Sequence, residues 1–129
     1  AFNTLPMFNL YVASLVLKDI LEQGGVTAIQ TINQRKANKL YQAIDALDIY
    51  ENKVDKSCRS CMNVTFFLAT PALEKQFLAK AREQGFINLE GHHSLGGIRA
   101  SLYNAMPESA VDAFIEFMYA FANSIKGVK

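Results

Sequence analysis

The chain is organised around residues 91–106, which read GHHSLGGIRASLYNAM and form its densest run of chemically capable side chains. The apolar alternation at 98–102 predicts a strand whose side chains point to two faces in turn. Arg99 interrupts this strand, so we expect it either at a sheet edge or directed into a cleft. A guanidinium binds carboxylate or phosphate through paired N–H donors, and His92 and His93 could add donors for an anion. The alternative is a surface loop followed by a strand with one solvated arginine.

Composition restricts the broad class of the protein. The 129 residues are half apolar, with a formal net charge of +1, as expected for one ordinary globular domain. The sequence has no basic block that would indicate nucleic-acid binding and no apolar run long enough to span a bilayer. Its two cysteines, Cys58 and Cys61, do not form a disulfide framework, which favours a reducing, cytosolic setting.

Apolar periodicity predicts four helices. The first starts with Thr4 as a possible N-cap and Pro6, and ends at Gly24-Gly25; the second covers 26–47; the third opens at Thr70-Pro71 and closes at Gly85; the last starts at Pro107. The first helix is so apolar that it is either buried on more than one side or packed against something absent from the chain.

Alternating apolar residues predict a strand at 62–68, and shorter strands are expected near 49–50, at 86–89 and at 98–102. Three or more short strands covered by helices predict an α+β architecture. We therefore expect a short mixed or antiparallel sheet, preceded by a long apolar helix.

The pattern Gly-His-x-Ser-x-Gly-Gly-x-Arg-Ala-Ser-x-Tyr-Asn-Ala within residues 91–105 resembles the C-terminal signature of the phosphoserine aminotransferases. These are pyridoxal-phosphate enzymes of the class V aminotransferase group. The opening Phe-Asn-Thr-x-Pro-x-Phe resembles that family's Asn-Thr-Pro-Pro-Thr-Phe, and residues 59–64 resemble its Arg-Ser-Arg-Met-Asn-Val. The sequence departs from the family at Leu5, where proline is usual, and at Cys61 and His93, where arginine is usual.

The resemblance implies the C-terminal small domain of a larger type I pyridoxal-phosphate-dependent transferase. Residues 1–24 would form an interdomain or dimer-contact segment with a helix, and residues 25–129 the small domain. The parent enzyme would be a cytoplasmic homodimer that transfers an amino group between L-glutamate and 3-phosphohydroxypyruvate in L-serine biosynthesis. From the residues themselves, two alternatives remain open: a stand-alone, non-catalytic binder of phosphorylated amino or keto acids, and a zinc or thiol interaction module.

The resemblance also implies roles for five residues. Arg99 would bind the substrate α-carboxylate, and His92 and His93 the distal phosphate of phosphoserine. Asn3 and Thr4 would bind the phosphate of pyridoxal 5'-phosphate in the neighbouring subunit, although their spacing alone equally suits a plain helix N-cap.

We expect no catalytic residue in this chain, because the Schiff-base lysine of the family lies upstream; the chain alone is then inactive. Lys18, Lys36 and Lys39 occupy polar or boundary helix positions and are expected to be solvated. Cys58-x-x-Cys61 with His92 and His93 could form a zinc site, or the two cysteines a redox pair. Adjacent histidines diverge in an extended loop and rarely reach one metal, so we favour two incidental thiols, with no metal.

Overall fold

The computed structural model describes residues 3–126; residues 1–2, which include Phe2 of the opening motif, and residues 127–129 lie outside the described range. The elements in chain order are α1 (Met7–Glu22), α2 (Gly25–Ala46), β1 (Tyr50–Glu51), a 3-10 turn (Lys56–Cys58), β2 (Asn63–Leu68), α3 (Pro71–Glu83), β3 (Glu90–His92), β4 (Gly96–Ser101) and α4 (Glu108–Lys126). The chain divides into two compact units after Ile32, and α2 is continuous through the boundary. No helix among residues 3–126 is long and apolar enough to cross a membrane.

The first unit consists of α1 and the start of α2. None of the residues of α1 is buried, and its large apolar side chains, such as Phe8 and Leu21, are exposed. The apolar side chains of the helix are therefore exposed. This agrees with the second alternative from the sequence, in which the helix packs against something absent from the chain. The expected N-cap at Thr4 is wrong: Pro6 is the N-cap, and its carbonyl accepts the hydrogen bond from the Leu10 N–H.

The second unit contains a four-stranded sheet with the order β1-β2-β4-β3, in which every pair is antiparallel. Val64 and Phe66 of β2 lie opposite Ala100 and Ile98 of β4, and all four are buried. Buried side chains of α2, α3 and α4 complete this core, including Leu40, Ile44, Phe77, Ala81, Met118 and Phe121. The predicted α+β class, with helices against a short antiparallel sheet, is confirmed.

The predicted strand at 86–89 is wrong. Those residues form a loop, and the neighbouring strand begins only at Glu90. Asn88 has a φ of 59°, in the left-handed region, which interrupts an extended strand. The Phe86 N–H donates to the carbonyl of Ala81 and so continues the end of α3, while the Phe86 ring packs 5.3 Å from the ring of Phe114. Phe86 and Leu89 therefore pack against the core without forming a strand, whereas Ile87 is exposed.

Four charged side chains join α2 to α4 on the protein surface. Arg35 Nη2 lies 2.7 Å from Glu108 Oε2, and Lys39 Nζ lies 2.7 Å from Glu108 Oε1 and 2.9 Å from Asp112 Oδ1. The hydrogen bonds from Arg35 and Lys39 lower the pKa of Glu108 from 4.5 to about 2. Both cations favour the ionised carboxylate, because each donates N–H groups to it.

This shift predicts an acid-dependent loss of stability. A carboxylate with a depressed pKa in the folded state contributes stability above its unfolded pKa of 4.5, and that contribution disappears as the pH falls toward about 2. Glu108→Gln should therefore be less stable than the parent at neutral pH, and the difference should shrink through this acid range. Urea unfolding measured from about pH 7 to about pH 2 tests this, with the exposed Glu116→Gln as control. A Glu108→Gln difference that stays constant with pH would contradict it.

Candidate functional site

Arg99 lies in the middle of β4, an interior strand of the sheet, opposite Thr65 of β2. Its neighbours in β4, Ile98 and Ala100, are buried in the core, whereas Arg99 belongs to the other face and is half-buried. The side chain lines a cavity of about 610 Å³. Arg99 therefore lies in a cleft and not at a sheet edge, which settles the choice that the sequence left open.

The cavity beside Arg99 has largely apolar walls. They come from the loop before β3, from the turn after β4 and from the start of α4, where Val111 and Phe114 line it. Arg99 Nε is buried without a hydrogen-bond partner, and Arg99 makes no salt bridge to any residue that the structure describes. A fixed cation among apolar groups attracts an anion more strongly than one in water does. The site is thus suited to a carboxylate or phosphate that accepts N–H bonds from the guanidinium.

The two histidines stand at the hairpin between β3 and β4. His92 ends β3 and pairs with Gly96, and the residues between them form the turn. Both imidazoles are exposed, and their ring centroids are 4.2 Å apart. Adjacent histidines were expected to diverge in an extended loop; that expectation is wrong, because the chain turns at His93. Two rings side by side can present N–H donors to one anion.

A neighbouring serine favours one tautomer of His92. Ser94 Oγ lies 2.7 Å from His92 Nδ1, and the Ser94 backbone N–H donates to the same nitrogen over 3.4 Å. Because a backbone N–H can only donate, Nδ1 is the acceptor, and the neutral ring carries its proton on Nε2. His92 Nε2–H is then available as a donor to an anion.

Asn3 and Thr4 belong to the first unit, where they precede α1 and are exposed. The N-cap of α1 receives no side-chain hydrogen bond, so the plain capping alternative fails for both residues. An amide N–H pair and a hydroxyl in an exposed segment fit the donor requirements of a phosphate group.

The cysteines have separate surroundings. Cys58 is exposed, and Cys61 is half-buried with its thiol donating to Gln34 Oε1 over 3.1 Å; neither forms a disulfide. Within residues 3–126 no three or more His, Cys, Asp or Glu side chains are grouped so that they could hold a metal ion.

The structure corrects the expectation for one of the three lysines. Lys18 is exposed beside Glu22 and Lys39 joins the surface cluster with Glu108, whereas Lys36 is fully buried. The expected solvated position of Lys36 is therefore wrong. Its spacing gave a usable signal, because it lies one helical turn before Leu40 on the apolar face of α2.

Fold and site together define an α+β unit with an arginine in a cleft and two histidines at a hairpin, side chains whose chemistry suits an anion. Residues 1–114 match the aminotransferase class-V family. The chain belongs to this family.

Among its relatives, the phosphoserine aminotransferase of Hahella chejuensis is 54% identical over 120 residues, covering 93% of this chain and 33% of the relative. The phosphoserine aminotransferase of Listeria monocytogenes is 48% identical over 126 residues, covering 98% of this chain and 35% of the relative. The chain thus spans about a third of the length of the curated relatives it matches.

Solved structures agree with these relatives. The phosphoserine aminotransferase from Bacillus circulans subsp. alkalophilus superposes with a TM-score of 0.92 at 44% identity, covering 95% of this chain and 34% of that one. The pyridoxal-phosphate-bound phosphoserine aminotransferase from Trichomonas vaginalis superposes with a TM-score of 0.86 at 37% identity, covering 92% and 34%. Neither the stand-alone binder nor the zinc or thiol module is supported by these relatives.

The two glycines of the histidine hairpin provide a matched test of its geometry. Gly96 and Gly97 have φ values of 70° and 73°, where an L side chain is strained. A Cβ on Gly96 would meet open space, whereas a Cβ on Gly97 would lie 2.8 Å from the Phe67 ring and 2.9 Å from the Phe66 carbonyl oxygen. We expect Gly96→Ala to cost about 1–2 kcal/mol from backbone strain, and Gly97→Ala to cost more, because steric overlap is added. Equal unfolding free energies for the two variants, measured in urea, would show that the contact with Phe67 does not constrain the hairpin.

Proposed function

We propose that the complete protein transfers an amino group between L-glutamate and 3-phosphohydroxypyruvate, a reaction of L-serine biosynthesis, with pyridoxal 5'-phosphate as cofactor. The observation that carries this proposal is Arg99, half-buried on the wall of an apolar cavity with Nε lacking a partner among residues 3–126. The site offers an unsatisfied guanidinium for a carboxylate. The phosphoserine aminotransferase relatives support the choice of substrates.

Different residues bind different groups of the substrate. Arg99 binds the α-carboxylate, which glutamate and phosphoserine share, through paired N–H donors. His92 and His93 bind the distal phosphate, with the Nε2–H of His92 directed by the bond from Ser94 to Nδ1. These contacts orient the substrate, so that its amino group is held in one place during transfer.

Asn3 and Thr4 contribute to cofactor binding. Their exposed amide and hydroxyl donors would hold the cofactor phosphate of the neighbouring subunit in a homodimer. When bound, pyridoxal phosphate supplies the electron sink on which amino-group transfer depends. The three lysines considered as Schiff-base candidates are poorly suited to that role: Lys36 is buried under carbonyl groups, and Lys18 and Lys39 are ion-paired.

The exposed apolar side chains of α1 support a contact role for the first segment. Residues 1–24 would form the interdomain or dimer-contact part, and residues 25–129 the small domain of a cytoplasmic enzyme. An apolar helix without buried residues gains stability when another surface covers it.

The primary test of the proposed reaction is an assay of the complete gene product with glutamate, 3-phosphohydroxypyruvate and pyridoxal phosphate. Absence of phosphoserine formation would refute the proposal.

Arg99→Lys in the complete protein tests the carboxylate role. Lysine keeps the charge but lacks the paired N–H donors of the guanidinium. The binding of both glutamate and phosphoserine should therefore weaken by about 1.5–3 kcal/mol, the range for hydrogen bonds to charged groups. Dissociation constants for both ligands provide the measurement. Arg82→Lys is the matched control, because Arg82 is exposed and pairs with Glu90 on the surface. Weakened phosphoserine binding with unchanged glutamate binding would instead assign Arg99 to the phosphate.

His93→Arg tests the position at which this sequence departs from its family. An imidazole loses its charge within the ordinary working range of pH, whereas a guanidinium keeps it. His93→Arg should therefore strengthen phosphoserine binding most in alkaline buffer and flatten its dependence on pH. Phosphoserine dissociation constants measured against pH for both proteins provide the comparison, with glutamate as a ligand that lacks the phosphate. Parallel curves would place His93 outside the phosphate site.

A further inference from the structure

A fully buried ammonium group of α2 contacts a turn that lines the cavity. Lys36 of α2 has no solvent exposure, although neighbouring Lys39 reaches the surface cluster. Burial lowers the pKa of Lys36, and the charge of Glu108 opposes that change. Burying an ammonium group costs free energy unless it is hydrogen-bonded. The acceptors of its hydrogen bonds therefore indicate what the buried lysine contributes.

The acceptors of Lys36 are two backbone carbonyls of a single turn. Lys36 Nζ donates to the carbonyl oxygen of Tyr103 over 2.9 Å and to that of Met106 over 3.1 Å. The same turn is closed by the Met106 N–H, which donates to the Tyr103 carbonyl over 2.9 Å. The ammonium therefore joins both ends of the turn to α2.

A second buried side chain of α2 holds the same turn. Asn33, one helical turn before Lys36, is 4% exposed, and its Nδ2 donates to Asn104 Oδ1 over 2.7 Å. Asn33 and Lys36 thus present two donors from one face of a rigid helix to one four-residue segment. Helix positions hold such contacts more precisely than loops do.

The turn is part of the cavity wall. Tyr103 and Met106 line the same cavity as Arg99. Tyr103 is 62% exposed and lies outside the core, so core packing of its side chain does not fix the turn. Three hydrogen bonds from Asn33 and Lys36 of α2 hold this turn.

We propose that Lys36 is a positioning residue, which holds the Tyr103–Met106 turn against α2 as one wall of the Arg99 cavity and thereby sets the affinity for the substrate carboxylate. This inference rests on the carboxylate role of Arg99 proposed above. It gives a buried lysine a part in substrate binding without contact with the substrate.

The experiment compares Lys36→Met with Lys39→Met in the complete protein. Both variants remove a cation from α2, but only Lys36→Met releases the turn. We expect Lys36→Met to raise the dissociation constants and KM for glutamate and phosphoserine about tenfold, on the scale of a lost hydrogen bond to a charged group, with kcat within about twofold. Lys36→Gln, which keeps an N–H donor, should fall between the parent and Lys36→Met. Lys39→Met should leave both constants unchanged.

Amide hydrogen exchange provides a readout that does not depend on catalysis. The Met106 amide, which closes the turn, should exchange faster in Lys36→Met and not in Lys39→Met. Unchanged glutamate dissociation constants in Lys36→Met would overturn the inference, as would Met106 exchange equal to that of the parent. If Lys36→Met fails to fold, Lys36→Gln, which is uncharged but keeps a polar side chain, replaces it in the same comparison.

The outcomes separate this inference from the proposed function. A parent protein that binds glutamate but forms no phosphoserine refutes the proposed function, and the inference is then judged on the glutamate dissociation constants alone. A parent protein that binds no glutamate overturns both. An active parent whose KM is the same in Lys36→Met and Lys39→Met overturns only the role of Lys36.

Discussion

The antiparallel pairing of β2 with β4 is the constraint on which the second unit depends. Its register places Phe66 opposite Ile98 in the core and Thr65 opposite Arg99 on the other face. Because successive side chains of a strand alternate, a shift of one residue would bury the arginine and expose the apolar partners. The core therefore fixes where Arg99 lies.

The same register sets the start of the histidine hairpin. β4 begins at Gly96, and the Phe67 ring occupies the space beside Gly97 where a side chain would stand. The turn at 93–95, which follows His92 and includes His93, lies immediately before this close approach. Arg99 and the two histidines are thus placed along one strand and its hairpin by strand pairing and packing.

Local pattern was sufficient for most of the elements and insufficient for the contacts between distant segments. The helices, β2 and β4 were predictable because their apolar residues recur at the periods of a helix or a strand. The strand predicted at 86–89 is wrong because Phe86 and Leu89 pack against the core and Asn88 leaves the extended region. The adjacency of the two histidine rings depends on a turn that the two residues do not encode alone. Arg99, His92 and His93 could be selected from the sequence, whereas the cavity beside Arg99 requires segments that are distant in the chain.

A comparison of Lys36 with Lys39 shows why residue type alone could not predict the positioning role of Lys36. Both are lysines of one helix, three positions apart, and both have a charge that Glu108 stabilises. Lys39 meets carboxylates at the surface, where water screens the pairs and such contacts add little stability. Lys36 meets only neutral carbonyl oxygens in its hydrogen bonds, so its burial is opposed by desolvation and is not offset by a direct ion pair. An apolar side chain of similar length would fill the same space at lower cost, but it could not donate to both ends of a turn. Stability alone therefore does not account for a lysine here, whereas a fixed position for the cavity wall does.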